Sequence, residues 1–321
     1  MKNLLIIGYG NIVKKHVKEI KKIIPKAKFF IITKNQRKYK KIGNLFFLTN
    51  LSKINPKKID YVMICSTTNT HLDYYKKLNK INKPIFIEKP FTHKLENLKK
   101  IFKNKINANS KLLIGYVFRN SEHFKKINHI LDKKILGKIK YVEIRASSFL
   151  PYWRKNKNYK KTVSAQKKLG GGVLLELSHE IDYMISFFGV PNKIIARSVS
   201  KKNLQIDVET GVKSIFVYKN FVIDFQIDFH SKNKNFRYCK IIGSKKTLQW
   251  DIKNQIIYLE SMNKVNKLKT SKNMYNEQMK AFISKKINNV KVELKSSMRI
   301  LNIIDQIKKS SKSKQIINYH E

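Results

Sequence analysis

Acidic residues are scarce in this sequence: 21 Asp and Glu stand against 69 Lys and Arg over 321 residues, a formal net charge of +48. Such an imbalance raises nucleic acid or a membrane surface as partners. The lysines run through the whole chain, however, rather than gathering on one stretch. No finger, basic zipper or aromatic-rich nucleic-acid signature accompanies them. Lys, Ile and Asn are overused together and share A/T-rich codons, so the charge reads as compositional bias. The expectation is no specific nucleic-acid partner, with some attraction for anionic small molecules. Cysteine is nearly absent. Cys65 and Cys239 each stand alone in an apolar run, without metal spacing or a disulfide framework, which points to a reducing cytoplasm and to no metal site. No apolar stretch is long enough to cross a bilayer, and the opening "MKNLLIIGYGN" has too short an apolar run for a signal peptide. No membrane association is expected. Glycine is rare as well, with 11 residues, yet three of them stand together in "LGGGVLLELSHEIDYM" at 169–184.

What is present is a 42% apolar composition, enough for a sizeable core, on a chain long enough for two domains. In the first third, short Ile-, Val- and Phe-rich runs ("NLLIIGY", "KFFIIT", "NLFFLT", "DYVMICS", "PIFIEK", "KLLIGYVF") alternate with helical patterns such as 11–24 and 70–80. Near-continuous apolar strands alternating with helices predict a parallel sheet covered on both faces. From about 193 to 261 the runs follow one another through short turns, which predicts antiparallel meanders. Helical patterns return at 275–286 and 294–312. The expected fold class is α/β: a Rossmann-type, doubly wound domain over 1–118, then an α/β domain with an open, mostly antiparallel sheet over 119–321.

Gly8 and Gly10 follow the first strand at the opening of a helix. Gly8 permits a tight turn, and Gly10 lets the backbone approach a pyrophosphate held at the helix N-terminus beside Asn11 and Ile12. The third fingerprint position is Val13, a departure that predicts looser helix-to-sheet packing. After the second strand comes "TKNQRK" rather than an acid, and no acid occurs between Glu19 and Asp60. Thr33, Lys34 and Arg37 offer a hydroxyl and two cations to a 2′-phosphate, so NADP is favoured over NAD. The alternative is that lysine bias alone made this loop basic.

Four further stretches, "CSTTNTH" at 65–71, "IEKPF" at 87–91, "GYVFR" at 115–119 and "GGGVLLELSHEID" at 170–182, come in the order and spacing of the glucose–fructose oxidoreductase / inositol dehydrogenase / MocA (Gfo/Idh/MocA) family. The chain resembles that family over nearly its whole length. The resemblance implies NAD(P)-dependent oxidation or reduction of sugars and related polyols. It also implies a small-molecule sugar substrate and a homo-oligomer formed through the open sheet of the second domain. It adds Ser66, Thr67, Asn69, His71, Glu88 and Lys89 to the cofactor-binding set.

Glu88 and Lys89 stand at the C-terminal end of a strand, where ligands of doubly wound sheets bind. A lysine there can stabilise developing alkoxide charge. The resemblance implies that Lys89 faces both cofactor and substrate, and that His179 is the acid/base residue. Histidine suits that task because its pKa is near neutrality. The pattern predicts one helix from Val173 to just before Gly189, with an apolar stripe of Leu174, Leu177, Ile181, Met184 and Phe188. His179 lies opposite that stripe, flanked by Glu176 and Tyr183. Many members carry an Asp four residues before this histidine. Here that position is Leu175 and the acid is Glu176, a catalytic or supporting group. Asp182 resembles the acid three residues after the histidine. Tyr116 and Arg119 match the segment leading into the second domain, and Trp153 and Arg154 suit a sugar face with an anionic group or, equally, a surface loop. The rival reading is a dinucleotide-binding regulator without turnover.

Overall fold

The computed structural model describes residues 1–33, 41–103, 111–153, 158–200, 204–232, 235–262, 264–270 and 272–319. It divides into two compact units: Met1–Ser121 with Lys272–Met298, and Glu122–Ser271 with Arg299–Glu321. The sequence expectation of a single cut near 118 leaves 272–298 with the second half, whereas here they join the first. The reason lies in contacts that Lys272–Met298 makes back to the first unit. Tyr61 donates its hydroxyl to the carbonyl of Ile283 at 2.8 Å, and Glu293 accepts the Ile114 amide at 3.3 Å.

The first unit is built on β1 (Asn3–Ile7), α1 (Asn11–Ile23), β2 (Lys28–Ile32), β3 (Lys41–Ile42), β4 (Leu45–Leu48), β5 (Tyr61–Ile64), α2 (Thr68–Leu78), β6 (Ile85–Ile87), α3 (Leu95–Lys103) and β7 (Leu112–Ile114). Their seven-stranded sheet has the order β3-β4-β2-β1-β5-β6-β7. All pairs are parallel except β3 with β4. The chain winds outward in both directions from β1 and β5, so the loops after these two strands flank the switch point where doubly wound sheets bind ligands. Strands β1, β5 and β6 are apolar at nearly every position because helices cover both faces. Val13 of α1 is fully buried in the core with Leu4, Ile6 and Phe29, so the bulkier third fingerprint residue serves as packing between helix and sheet.

The second unit begins with α4 (Glu122–Asp132), β8 (Ile139–Ser147), α5 (Val173–Glu176), α6 (Ser178–Phe188) and β9 (Lys193–Val199). The meander follows: β10 (Gly211–Val217), β11 (Val222–Asp228), β12 (Phe236–Gly243), β13 (Thr247–Asp251), β14 (Ile256–Ser261) and β15 (Lys264–Lys269). Helix α7 (Met274–Ile283) belongs to the first unit, α8 (Val290–Ser313) is shared at Met298, and β16 (Ile317–Asn318) closes the second. The nine-stranded sheet runs β15-β14-β13-β12-β8-β11-β10-β9-β16 and is antiparallel except for β8 with β11. Period-two alternation sorts its faces. Val142, Ile144, Ile223, Phe225 and Ile241 are fully buried on one face. The other face carries Arg145, which pairs with Asp224 and Glu143, while Tyr238 donates its hydroxyl to Glu143 at 2.9 Å. Among the described residues, no helix is long and apolar enough to cross a membrane.

Candidate functional site

In the first unit the loop after β1 turns at Gly8, whose φ of +96° suits glycine. Its amide donates to the Ile32 carbonyl at 2.8 Å. A Cβ on Gly8 would lie 2.6 Å from the Cys65 carbonyl oxygen, so the neighbouring loop approaches too closely for any other residue. Gly10 differs: among the described residues a Cβ there would meet nothing within 4 Å. It is the N-cap of α1, with no side-chain cap and no acid in the first turn, and Asn11 next to it is exposed. Among the described residues the first turn of α1 thus has no side-chain cap and no acid to compete with an anion for its free amides. After β5, Thr70 donates to Ser66 Oγ at 2.7 Å, and Asn69 Oδ1 is buried without a hydrogen-bond partner among the described residues. A buried acceptor costs free energy unless something donates to it. Open helix amides, a glycine with empty space in front of it and an unsatisfied amide oxygen together fit a nicotinamide dinucleotide. Ile12 in the first turn of α1 and Thr33 just after β2 are both half-buried. Lys34 and Arg37, which carry the expectation of NADP, lie outside the described residues.

Two residues expected to touch the cofactor are committed to other partners. Glu88 Oε1 lies 2.6 Å from His16 Nε2, and its Oε2 accepts the Lys89 amide at 3.2 Å. His71 is 1% exposed, with Nδ1 2.9 Å from the Pro90 carbonyl and Nε2 3.0 Å from the Ser66 carbonyl. Burial holds the His71 pKa below the ordinary histidine value, against the opposing pull of these two carbonyls. The neutral ring therefore donates to one of them. Both residues hydrogen-bond to the strand-end turn. Lys89, between them, is half-exposed, and the Lys89–Pro90 peptide is cis. Thr67 is the N-cap of α2.

Tyr116 is buried, and the Arg119 guanidinium lies 5.4 Å from the centre of its ring. Arg119 also donates to Ser296 at 2.5 Å and sits 3.8 Å from Glu293. The matching motif thus holds α8 to this unit, which the sequence reading of these two residues as substrate ligands did not foresee.

In the second unit the three glycines are forced by packing of the chain on itself. Gly170 is left-handed at φ +83°. A Cβ on Gly171 would lie 2.2 Å from the Val163 carbonyl oxygen, and one on Gly172 (φ +110°) 2.5 Å from the Glu209 carboxylate. Glu209 in turn accepts the Leu174 amide at 3.4 Å, and its carbonyl accepts the Val173 amide at 3.1 Å. The glycine triplet threads between the 163–164 turn and Glu209. Sequence reasoning missed Glu209, whose only signal is an acid in an acid-poor chain.

The single helix expected from Val173 is instead two. Leu177 (φ −100°, ψ 28°) breaks it between α5 and α6. Ser178 donates its hydroxyl to the Leu175 carbonyl at 2.9 Å, a local bond that competes with the helical ladder. Glu176 therefore ends α5 while His179 lies in the first turn of α6, and the two do not share one continuous helical face. Both are half-buried. Tyr183, expected beside His179, is fully buried with its ring edge-on to Trp250. Asp182 is 1% exposed, a place for support rather than open contact. Trp153 donates to Ser148 Oγ at 2.8 Å and packs edge-on to Phe229. Arg154 lies outside the described residues. Among the described residues no group of His, Cys, Asp and Glu could hold a metal ion.

Comparison with known proteins bears on the family and the fold. A family profile described as "Oxidoreductase family, NAD-binding Rossmann fold" matches residues 2–116, and one described as "GFO/IDH/MocA C-terminal domain" matches 124–249. The chain belongs to the Gfo/Idh/MocA family of NAD-binding oxidoreductases. It is 31% identical to inositol 2-dehydrogenase of Rhizobium meliloti over 86 residues, 27% of this chain and 26% of that protein. It is 25% identical to myo-inositol 2-dehydrogenase of Thermotoga maritima over 138 residues, 41% of each. The matched segments thus span less than half of either relative. A solved levoglucosan dehydrogenase in complex with NADH superposes with a TM-score of 0.86 at 15% identity, over 100% of this chain and 99% of that one, which is a likeness of fold.

Proposed function

We propose that this protein is an NAD(P)-dependent dehydrogenase of a sugar or polyol, with a free or nucleotide-linked sugar as substrate and NADP favoured over NAD. The observation that carries the reading is the turn after β6: Lys89 stands at a strand end, its amide fixed by Glu88, in the same unit as a glycine loop whose helix amides are open to an anion. The named relatives, inositol dehydrogenases and a levoglucosan dehydrogenase solved with NADH, support a polyhydroxylated substrate. In this reading Gly8, Gly10, Asn11 and Ile12 hold the pyrophosphate. Thr33, Lys34 and Arg37 receive the 2′-phosphate. Ser66, Thr67 and Asn69 line the next loop, and Asn69 Oδ1 gains the donor it lacks. The bound nicotinamide supplies the carbon that exchanges hydride. Lys89 donates to the substrate oxygen and stabilises its developing charge. His179 takes the hydroxyl proton, and Glu176 supports it. Trp153 and Arg154 bind the sugar, with Tyr116, Arg119 and Asp182 behind the contact. The half-exposed sheet face of Arg145, Asp224 and Tyr238 is the contact with a second copy, and the cytoplasm is the setting.

The test is a nicotinamide absorbance screen over myo-inositol, levoglucosan, free aldoses and nucleotide-linked sugars, each with NAD and NADP. Turnover of at least one polyol, faster with NADP, is expected. Saturable dinucleotide binding without turnover of any of them would favour a regulator. Tighter binding of NADH than of NADPH would remove the cofactor preference, as would Thr33→Asp leaving that preference unchanged.

A further inference from the structure

Two buried histidines flank the turn that carries Lys89, and neither is explained by core packing. His16 lies on the buried face of α1 between Val13, Val17 and Ile20, 0% exposed, with its ring edge-on to Phe86 and tilted against Tyr275. An apolar side chain would fill such a place at lower cost, because a buried imidazole needs a polar partner. Its Nδ1 is buried without one among the described residues. Its Nε2 lies 2.6 Å from Glu88 Oε1, and this is the polar contact the ring makes among the described residues. The other Glu88 oxygen receives the Lys89 amide, and Gly115 leaves it room: a Cβ there would come within 3.0 Å of Glu88 Oε2. His71 sits between the Pro90 and Ser66 carbonyls and donates its one ring N–H to one of them. His16 comes from the helix that opens at Gly10, and His71 from the helix that opens after Thr67.

We propose that His16 and His71 are positioning residues: they clamp the Glu88–Lys89–Pro90 turn from two sides and tie it to the two loops that cradle the dinucleotide. The proposal rests on the reading of Lys89 as the group that polarises the substrate. The clamp acts on the direction of the Lys89 side chain. Its loss costs turnover before it costs dinucleotide affinity, because the glycine loop and the open amides of α1 are untouched. Displacement of a catalytic group by about 1 Å is worth roughly 10²-fold in rate.

The test has two arms on the full-length protein. The first needs neither substrate nor cofactor. Proton NMR of histidine-¹⁵N-labelled protein should show a far-downfield, slowly exchanging ring N–H of His16, as expected of a buried imidazole donating to a carboxylate. That resonance should move upfield in Glu88→Gln and vanish in His16→Gln. Its absence from the wild type, or its indifference to Glu88→Gln, overturns the clamp. The second arm uses the polyol that the wild type turns over. His16→Leu should lower kcat by about 10²-fold while the Kd for NADPH changes less than about threefold. His16→Gln, which can still donate to Glu88, should recover most of the loss. In a Lys89→Met background, His16→Leu should add nothing further. Multiplying losses in the double variant, or failure of His16→Gln to rescue, reduces His16 to a packing residue. A wild type inactive on every polyol defeats the dehydrogenase reading and leaves the NMR arm to decide the clamp.

Discussion

Two loops in this chain are rich in glycine, one in each compact unit, and their glycines are needed for different reasons. In the loop at 8–10, Gly8 is required by a neighbouring carbonyl, but Gly10 faces empty space. In the loop at 170–172, Gly171 and Gly172 are both closed in by the chain's own atoms, the Val163 carbonyl and the Glu209 carboxylate. A glycine with space before it leaves room for a ligand. A glycine without space is a packing requirement. Sequence alone cannot tell the two apart, because both appear as glycine before a helix. The first loop is the one proposed to bind, and the second packs against the chain's own atoms just ahead of α5.

The largest effects should come from the two residues proposed to act on the substrate, one in each unit. Lys89→Ala and His179→Ala should each lower turnover by about 10²- to 10⁴-fold with dinucleotide affinity near that of the wild type. Glu176→Gln should cost less than His179→Ala, because the break at Leu177 puts the two on separate helical segments. An equal loss would make Glu176 a direct participant and undo that distinction.

The glycine contrast itself is tested by stability. Gly171→Ala should destabilise by about 1–3 kcal/mol in a denaturant titration and leave dinucleotide affinity alone. Gly8→Ala should cost a similar amount and weaken dinucleotide binding as well. Gly10→Ala should leave the unfolding midpoint within about 0.5 kcal/mol of the wild type while weakening binding. If Gly10→Ala lowered stability as much as Gly171→Ala, the two loops would not differ in kind.

The smallest effect concerns pH and touches both units. His71 in the first and His123 in the second have pKa values below the ordinary histidine value of 6.5, chiefly through burial. A base whose pKa is lower when folded binds fewer protons in the folded chain than in the unfolded one. Its contribution is therefore intact above pH 6.5 and is lost as pH falls from there towards the folded value. Denaturation free energies should decline over that interval, and His123→Gln should flatten part of the decline. A stability that rises on acidification there contradicts this account.

Much of the first unit was legible in the sequence because its strands are buried on both faces, so β1, β5 and β6 read as unbroken apolar runs. The strand-end positions of Gly8 and Lys89 followed directly. The helix break at Leu177 was not legible: its apolar stripe continues through 177 and 181, and the Ser178 hydroxyl that competes with the ladder has no sequence period. His16 was hidden for the opposite reason. It sits on an apolar stripe, at i+3 from Val13 and i+4 to Ile20, where a histidine reads as an irregularity. Only the fold brings it to Glu88, 72 residues away. The assignment of Lys272–Met298 to the first unit depends on long-range contacts such as that of Tyr61 with Ile283, which no local pattern carries.

The central claim is that the loop with an open glycine holds a dinucleotide and the loop with closed glycines does not. It is tested most directly by titrating the wild type, Gly10→Ala and Gly171→Ala with NADPH while following protein fluorescence. Saturable binding to the wild type, weakened in Gly10→Ala and unchanged in folded Gly171→Ala, is the predicted result. Binding that is indifferent to Gly10→Ala, or that is lost in folded Gly171→Ala, would contradict it.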